Sequence, residues 1–262
     1  MGDAEAFARE FRPVPPARPG VCRICHAAGP EASGAGSSGP RVTGAGACAG
    51  CRRTIGGLRG HTEHVVPITL TARNTRLYDV VTQRREPPGG RRGRLDLLAA
   101  TVARFHQRHA ACLERAAGGP FTLVATVPST RAERPIEAFD PMAAVVARVA
   151  ALAGRHRPLL LERVDSEPGA AAGDAFRVRG GGLEGARTLL VDDLFVSGAR
   201  VQHAASALLA AGAAAVVALV VARLVEPAAA DPCGAAIWRE AGRRPFDFVR
   251  CCVCDAAPWE IT

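Results

Sequence analysis

Apolar residues along this chain follow two patterns, short continuous runs and longer stretches in which they recur every three or four positions. The short runs are typical of strands buried in a parallel sheet, and the longer stretches of amphipathic helices. The predicted strands are 61–70, 121–127, 158–164, 187–191 and 214–224, and the predicted helices are 77–85, 95–116, 141–152 and 199–212. From residue 121 onward strands and helices alternate, which predicts an α/β fold with a mostly parallel sheet flanked by helices. In such folds ligands bind at the carboxyl ends of the strands.

Composition narrows the chemistry. The formal charge of +8 favours anionic partners, and all 33 basic residues are arginine. Without lysine the chain cannot form a Schiff base or a Walker-A phosphate site. The uncharged stretch 204–222 is divided by Gly212 into a helix and a strand, so no membrane insertion is expected. Acidic residues near the N-terminus argue against a secretory signal, and we predict a cytoplasmic protein.

The N-terminal cysteines have the spacing of a zinc site. Of nine cysteines, four form the motifs CRIC at 22–25 and CAGC at 48–51. Each C-x-x-C turn presents two thiolates, and two turns complete a tetrahedron, so Cys22, Cys25, Cys48 and Cys51 are predicted to bind structural Zn²⁺. The Gly/Ser-rich spacer between the motifs cannot build a core, and the metal would supply the local folding energy.

Three further cysteines, Cys251, Cys252 and Cys254, lie near the C-terminus. They could join the N-terminal zinc site, form a second metal centre or pack as small apolar side chains. We expect packing, because adjacent or C-x-C cysteines chelate a metal less naturally than C-x-x-C.

Histidines give weaker signals. His61 and His64 have a spacing that could ligate a metal, but a polar surface turn is the expectation. His106 and His109, on the predicted helix 95–116, are expected to be solvated or half-packed, and the sequence gives no signal of a partner for either.

The stretch LLVDDLFVSGAR at 189–200 concentrates the chemistry of the chain. Asp192 and Asp193 follow a buried strand, where two carboxylates repel each other and lose hydration. The next turn has a hydroxyl at Ser197, a compact residue at Gly198 and a cation at Arg200. A small-residue turn before a helix exposes backbone N–H groups and makes a phosphate cradle. Acids that can bind a sugar diol, next to a loop that can bind a phosphate, predict a site for ribose 5-phosphate.

RTLLVDDLFVSGAR resembles the PRPP-binding signature of type I phosphoribosyltransferases. The order of a four-cysteine ribbon, VVPITL, TLVATVPSTR and this signature is similar to the ComF-type phosphoribosyltransferase-like proteins, which are associated with competence and DNA uptake. The likeness covers most of residues 20–225. It implies a type I phosphoribosyltransferase fold with a small N-terminal zinc ribbon.

The resemblance also implies roles for individual residues. Asp192 and Asp193 would be the catalytic pair that holds the ribose hydroxyls, directly or with Mg²⁺. The 5-phosphate would lie in the loop formed by Val196, Ser197, Gly198, Ala199 and Arg200. The pyrophosphate loop would consist of Ser129, Thr130 and Arg131. The reaction implied is displacement of pyrophosphate from PRPP by a nucleophile on an acceptor that the sequence does not identify.

Three departures from the family pattern bear on catalysis. Family signatures usually have threonine at the positions of Val196 and Arg200. The segment between Arg163 and Phe176, expected to be the mobile hood, is short and acidic. No nucleobase pocket is recognisable. Binding of a phosphorylated ribose is therefore better supported than turnover.

The predicted organisation has four parts: an irregular lead at 1–19, the zinc ribbon at 20–60, a phosphoribosyltransferase-like domain at 61–225 and a C-terminal extension at 226–262. Two alternatives to an enzyme remain. One is a single-stranded DNA-binding protein that uses the ribbon and the arginine pairs at 84–85 and 91–92. The other is a PRPP sensor without catalysis.

Overall fold

The computed structural model describes residues 7–27, 46–83, 89–129, 141–164, 175–227 and 232–254. Within these ranges it contains helices and strands in the order α1 (Ala49–Ile55), β1 (Val65–Ala72), α2 (Arg76–Thr82), α3 (Gly90–Ala116), β2 (Leu123–Thr126), α4 (Pro141–Val146), α5 (Ala150–Ala153), β3 (Leu161–Arg163), β4 (Phe176–Val178), β5 (Arg187–Phe195), α6 (Ala199–Ala210), β6 (Ala215–Val225) and α7 (Pro232–Ala241).

The centre of the molecule is a four-stranded sheet in the order β1-β6-β5-β2, with every neighbouring pair parallel. The two central strands β5 and β6 consist largely of Val, Leu and Ala and are buried on both faces. Because parallel strands need crossover connections, helices cover both faces. The α/β prediction with a mostly parallel sheet is confirmed.

Alternate residues of the strands pack into two separate hydrophobic cores, because successive side chains of a strand point to opposite faces of the sheet. On one face, Leu189 and Val191 pack with helices α2, α3 and α4. On the other face, Leu190 and Val220 pack with helix α6 and with the N-terminal cysteines. Both faces of the sheet are therefore covered, and the carboxyl ends of the strands are the edge at which polar groups can gather.

The structure corrects three predicted elements. The predicted strand 158–164 is only three residues long and pairs antiparallel with β4 in a separate two-stranded sheet. Short apolar runs do not encode which sheet a strand joins, which explains the error. The predicted helix 141–152 is divided into α4 and α5 by a turn before Val149. Strand β5 continues to Phe195, so the two aspartates belong to the strand.

Both chain ends that the structure describes pack against the main core. Phe7 and Phe11 are buried on the face covered by α3, although residues 9–18 are irregular. Phe248 and Cys252 pack in the same core. The predicted lead and extension are thus not separate from the domain at 61–225 in their packing. Among the described residues, no helix combines the length and apolar character needed to cross a membrane.

Candidate functional site

The two aspartates of β5 share one cation. Arg200, in the first turn of α6, lies with its Nη2 3.1 Å from Oδ1 of Asp192 and its Nη1 3.6 Å from Oδ1 of Asp193. The same Nη2 lies 3.4 Å from the carbonyl oxygen of Pro128. The strand-to-helix turn brings the arginine back over the acids, and this ion pair offsets part of the repulsion between them.

Asp192 is the unusual member of the pair. Its side chain is 1% exposed, and Oδ2 has no hydrogen-bond partner within the described residues. Burial, followed by the nearby charge of Asp193, raises the pKa of Asp192 well above its ordinary value, and Arg200 offsets part of this rise. A buried carboxylate oxygen without a donor is costly. A ligand that supplies a donor there would relieve that cost.

The loop at residues 196–198 has a fixed shape. Gly198 has φ +83° and precedes the first residue of α6. A Cβ at this position would lie 2.5 Å from Cζ of Phe195, so the glycine is required both by its backbone angle and by the aromatic ring beneath it. The amide of Ala199 donates to Oγ of Ser197 at 3.4 Å. The loop thus directs the first amides of a twelve-residue helix to the sheet edge.

These groups line one pocket of about 250 Å³. One wall is the acid pair with the loop, a second is Ser129 after β2, and a third is the end of α2, where Gln83 has the left-handed backbone φ of 61°. The side chain of Val196 is 56% exposed and contributes no polar group. The pocket joins acids, a helix N-terminus and hydroxyls in one place, as a phosphorylated polyol requires.

The four N-terminal cysteines meet in three dimensions. Their thiols lie within 4.8 Å of one another, with Sγ of Cys22 3.8 Å from that of Cys51 and Sγ of Cys25 3.7 Å from that of Cys48. Zn–S bonds of about 2.3 Å in a tetrahedron place two sulfurs about 3.8 Å apart. The amides of Cys25 and Cys51 each donate to the sulfur three residues earlier at 3.5 Å. The donor set and its spacing fit Zn²⁺.

The cysteine cluster adjoins the loop at 196–198. Helix α1 begins at the second C-x-x-C motif, and its Thr54 donates a hydrogen bond of 3.4 Å to the carbonyl of Ser197. A cleft of about 480 Å³ runs between the cysteines and this loop and is also lined by Arg223. Arg223 is 8% exposed, and its Nε and Nη1 have no partner within the described residues. Zn²⁺ held by four thiolates carries two negative charges, which would compensate this buried guanidinium.

The structure brings most of the predicted site residues together. Asp192, Asp193, Ser129 and residues 196–200 line one pocket, while Thr130 and Arg131 lie outside the described residues. Arg200 contacts the acids, which the sequence prediction did not anticipate. Phe195, Thr54 and Arg223 also belong to this region and are not predicted from the sequence. A glycine three residues after an aromatic residue is a local signal that could have indicated the contact of Gly198 with Phe195. The positions of Thr54 and Arg223 depend on tertiary contacts and leave no such signal.

The expectation that the C-terminal cysteines pack is confirmed for Cys251 and Cys252, which lie in the main core, whereas the prediction for His109 needs correction. Cys251 and Cys254 do not belong to the group formed by the N-terminal cysteines, and Cys252 packs in the core. His109 is not without a partner, because it lies beside Cys112, Cys251 and Cys254 and its Nε2 is 2.9 Å from the carbonyl of Phe248. Nε2 of His61 lies 3.8 Å from Oε1 of Glu63, and within the described residues neither His61 nor His64 belongs to a group of metal-ligand side chains.

Comparison with known proteins adds little to this geometry. No family model matches the sequence, and no curated protein matches it. One solved structure, described as an analysis of an invariant aspartic acid in HPRTs with a glutamine mutant, has 11% identity and a TM-score of 0.30. The match covers 47% of this chain and 78% of that chain. A likeness this weak carries no argument, and the resemblance to ComF-type proteins stays a prediction.

Proposed function

We propose that this protein binds PRPP, or a closely related phosphorylated ribose, at the pocket formed by the acid pair and the loop at 196–198. The observation that carries the proposal is Asp192, a buried carboxylate whose Oδ2 has no hydrogen-bond partner within the described part of the chain, on the wall of a pocket that also contains a helix N-terminus. A ribose diol supplies hydroxyl donors to the acids, and the 5-phosphate accepts from the loop amides.

Arg200 sets the electrostatics of this binding. It is paired with both carboxylates, so one guanidinium compensates one of the two negative charges of the ionised acid pair before a ligand arrives. An acid pair with one of its two charges compensated repels the phosphates less than two free carboxylates would. This explains how a threonine position of the family pattern can hold arginine and still serve a phosphate ligand.

Transfer chemistry would proceed at the same place. A nucleophile would attack the anomeric carbon of PRPP, and the C–O bond to pyrophosphate would break with its electron pair leaving on pyrophosphate. The proton of the nucleophile would pass to solvent. The acids would stabilise positive charge that develops on the ribose ring. The carboxylates are the oxygen ligands that Mg²⁺ prefers, so Asp192 and Asp193 would hold Mg²⁺, which would neutralise the leaving group.

The hairpin β3–β4 bounds the segment expected to be the hood. Its buried residues Leu161 and Phe176 pack on the same face as α6, and Glu162 pairs with both Arg177 and Arg179. Residues 165–174 between the strands lie outside the described residues. The base of this hairpin therefore lies on the same face of the sheet as α6.

Calorimetric titration of PRPP with Mg²⁺ tests the proposal. The wild-type protein should bind, and Asp192→Asn and Asp193→Asn should each weaken binding by about 10-fold or more, the order expected for lost charge-assisted hydrogen bonds. Asp96→Asn is the matched control, because Asp96 is an exposed aspartate on α3 that pairs with Arg148. Equal affinity in all four proteins would remove the basis of the proposal. Pyrophosphate release with candidate acceptors would then separate an enzyme from a sensor.

The DNA-binding alternative has less support. Arg92 pairs with Asp96, and residues 84–85 lie outside the described residues. The net charge of +8 remains the main argument for nucleic acid. If single-stranded DNA binds at low salt, its affinity should fall steeply as salt rises.

A further inference from the structure

A second group of metal-ligand side chains lies on the face of the sheet covered by α3. Its members are His109, Cys112, Cys251 and Cys254, whose ligand atoms are within 4.8 Å of one another. We propose that this group binds a second structural Zn²⁺ through three thiolates and one imidazole, and that the metal fastens the C-terminal segment 246–254 to helix α3. The proposal does not depend on the proposed PRPP site.

The spacing of each half of the group suits chelation. His109 and Cys112 are three residues apart on α3 and therefore lie on the same side of the helix. Cys251 and Cys254 form a C-x-x-C turn that the neighbouring Cys252 conceals in the sequence. The amide of Cys254 donates to Sγ of Cys251 at 3.4 Å, nearly the same as the 3.5 Å seen in both N-terminal C-x-x-C turns.

The distances fit a tetrahedral centre. Nδ1 of His109 is 3.8 Å from Sγ of Cys112 and 3.7 Å from Sγ of Cys254. Zinc bonds to nitrogen and sulfur place these atoms about 3.6 Å apart. The sulfurs of Cys251 and Cys254 are 3.3 Å apart, shorter than the about 3.8 Å of a zinc tetrahedron but far longer than the about 2.0 Å of a disulfide, so a bound metal would separate them slightly. The four groups thus surround a single point as free thiols and an imidazole.

The imidazole is already oriented as a ligand. Nε2 of His109 lies 2.9 Å from the carbonyl oxygen of Phe248, which only accepts hydrogen bonds. Nε2 therefore carries the proton in the neutral ring, and Nδ1 presents its lone pair to the three sulfurs. Metal-binding histidines almost always donate their second nitrogen to a carbonyl or carboxylate in this way.

The segment that the metal would hold has little other regular support. Residues 246–254 form turns without helix or strand. Oδ1 of Asp247 accepts from the amides of Val249 and Arg250 at 2.7 and 3.1 Å, which shapes the turn before Cys251. Phe246 and Phe248 stack edge-to-face on Phe11. A metal bound by Cys251 and Cys254 would attach the end of this segment to α3. Three thiolates with one imidazole are a ligand set typical of zinc.

Zinc content of the purified full-length protein tests the proposal. Wild-type protein dialysed free of loose metal should contain two zinc ions per chain, one for each cluster. Cys254→Ser should contain one, since Cys254 is exposed and its loss does not open the core. Cys252→Ala, the neighbouring control that keeps a small apolar side chain in the core, and Cys254→His, which restores a ligand, should both contain two. One zinc in the wild type, or equal content in wild type and Cys254→Ser, would overturn the proposal.

X-ray absorption at the zinc edge gives a test that requires no variant. Two sites predict a mean shell of about three and a half sulfurs and one half nitrogen per zinc, because one site has four sulfurs and the other has three. A shell of four sulfurs alone would mean that only the N-terminal cluster holds metal.

Discussion

The two cysteine clusters lie on opposite faces of one sheet and differ in what surrounds them. The N-terminal cluster of Cys22, Cys25, Cys48 and Cys51 packs beside α6 and reaches the loop at 196–198 through Thr54. The C-terminal cluster of His109, Cys112, Cys251 and Cys254 joins α3 to an irregular segment. We infer that the two clusters have different roles. The N-terminal cluster supports the candidate pocket, and the C-terminal cluster attaches the C-terminal segment to α3.

Loss of an N-terminal zinc ligand should give the largest effect. Cys51→Ser removes a buried ligand that lies on α1, and structural zinc supplies much of the folding free energy of such small metal units. We expect one zinc fewer and a loss of PRPP affinity of more than about 10-fold, because α1 no longer supports the loop at 196–198.

Cys254→Ser is the corresponding change in the other cluster. It should also remove one zinc but leave PRPP affinity within about 2-fold of the wild type, because the C-terminal cluster does not line the candidate pocket. Calorimetry and zinc analysis on both variants measure the contrast. If both variants lose affinity equally, the two clusters do not differ in the way that we infer.

Gly198→Ala should have the next largest effect on PRPP affinity after Cys51→Ser. The added Cβ meets the ring of Phe195 at 2.5 Å, and a positive φ adds strain, which together cost about 1–3 kcal/mol. The loop would shift and PRPP affinity should fall about 10-fold, as read by titration. Gly118→Ala is the control, since it has φ +70° and no atom near the added Cβ. Equal losses of affinity in the two variants would show that the packing on Phe195 is unimportant.

The acid pair predicts a pH dependence with a definite sign. The pKa of Asp192 is raised in the folded protein, so the folded state binds a proton more readily than the unfolded state. Its contribution to stability is therefore greatest in acid and is lost as pH rises through the folded pKa.

Asp192→Asn removes the buried charge and with it the decrease in folding stability as pH rises. We expect a higher Tm than the wild type at neutral pH, by about 2–4 °C for each kcal/mol relieved, and a smaller difference in acid. Thermal melts across the pH range measure it. A variant that is less stable than the wild type at neutral pH would mean that the Arg200 pair fully compensates the buried charge.

Thr54→Val should have the smallest effect. It removes only the solvent-exposed hydrogen bond of 3.4 Å from Thr54 to Ser197, for which about 0.5 kcal/mol is the expected cost. PRPP affinity should fall about 2-fold while zinc content stays the same. A large loss of zinc in this variant would show that the residue serves the metal cluster rather than the loop.

The sequence was informative where neighbouring residues carry the signal. Strand β5, the turn at Gly198 and the four N-terminal cysteines are each recognisable within a few residues, because strand burial, backbone angle and C-x-x-C chelation are local properties. A second metal centre was only one alternative for the C-terminal cysteines, and the part of α3 in it was not recognised, since His109 and Cys254 are separated by 145 positions and Cys252 obscured the spacing. The pairing of Arg200 with the acids, and the separation of β3 from the main sheet, likewise depend on tertiary packing.

A double cycle, in which a ligand hydroxyl and the carboxylate of Asp192 are removed separately and together, tests the recognition of a ribose diol most directly. Calorimetry would compare ribose 5-phosphate with 2-deoxyribose 5-phosphate in the wild type and in Asp192→Asn. We predict that the wild type loses about 10-fold in affinity when the hydroxyl is removed, and that Asp192→Asn, already weak, loses much less. The same loss in both proteins, or none in the wild type, would contradict the assignment of the acid pair to the ribose hydroxyls.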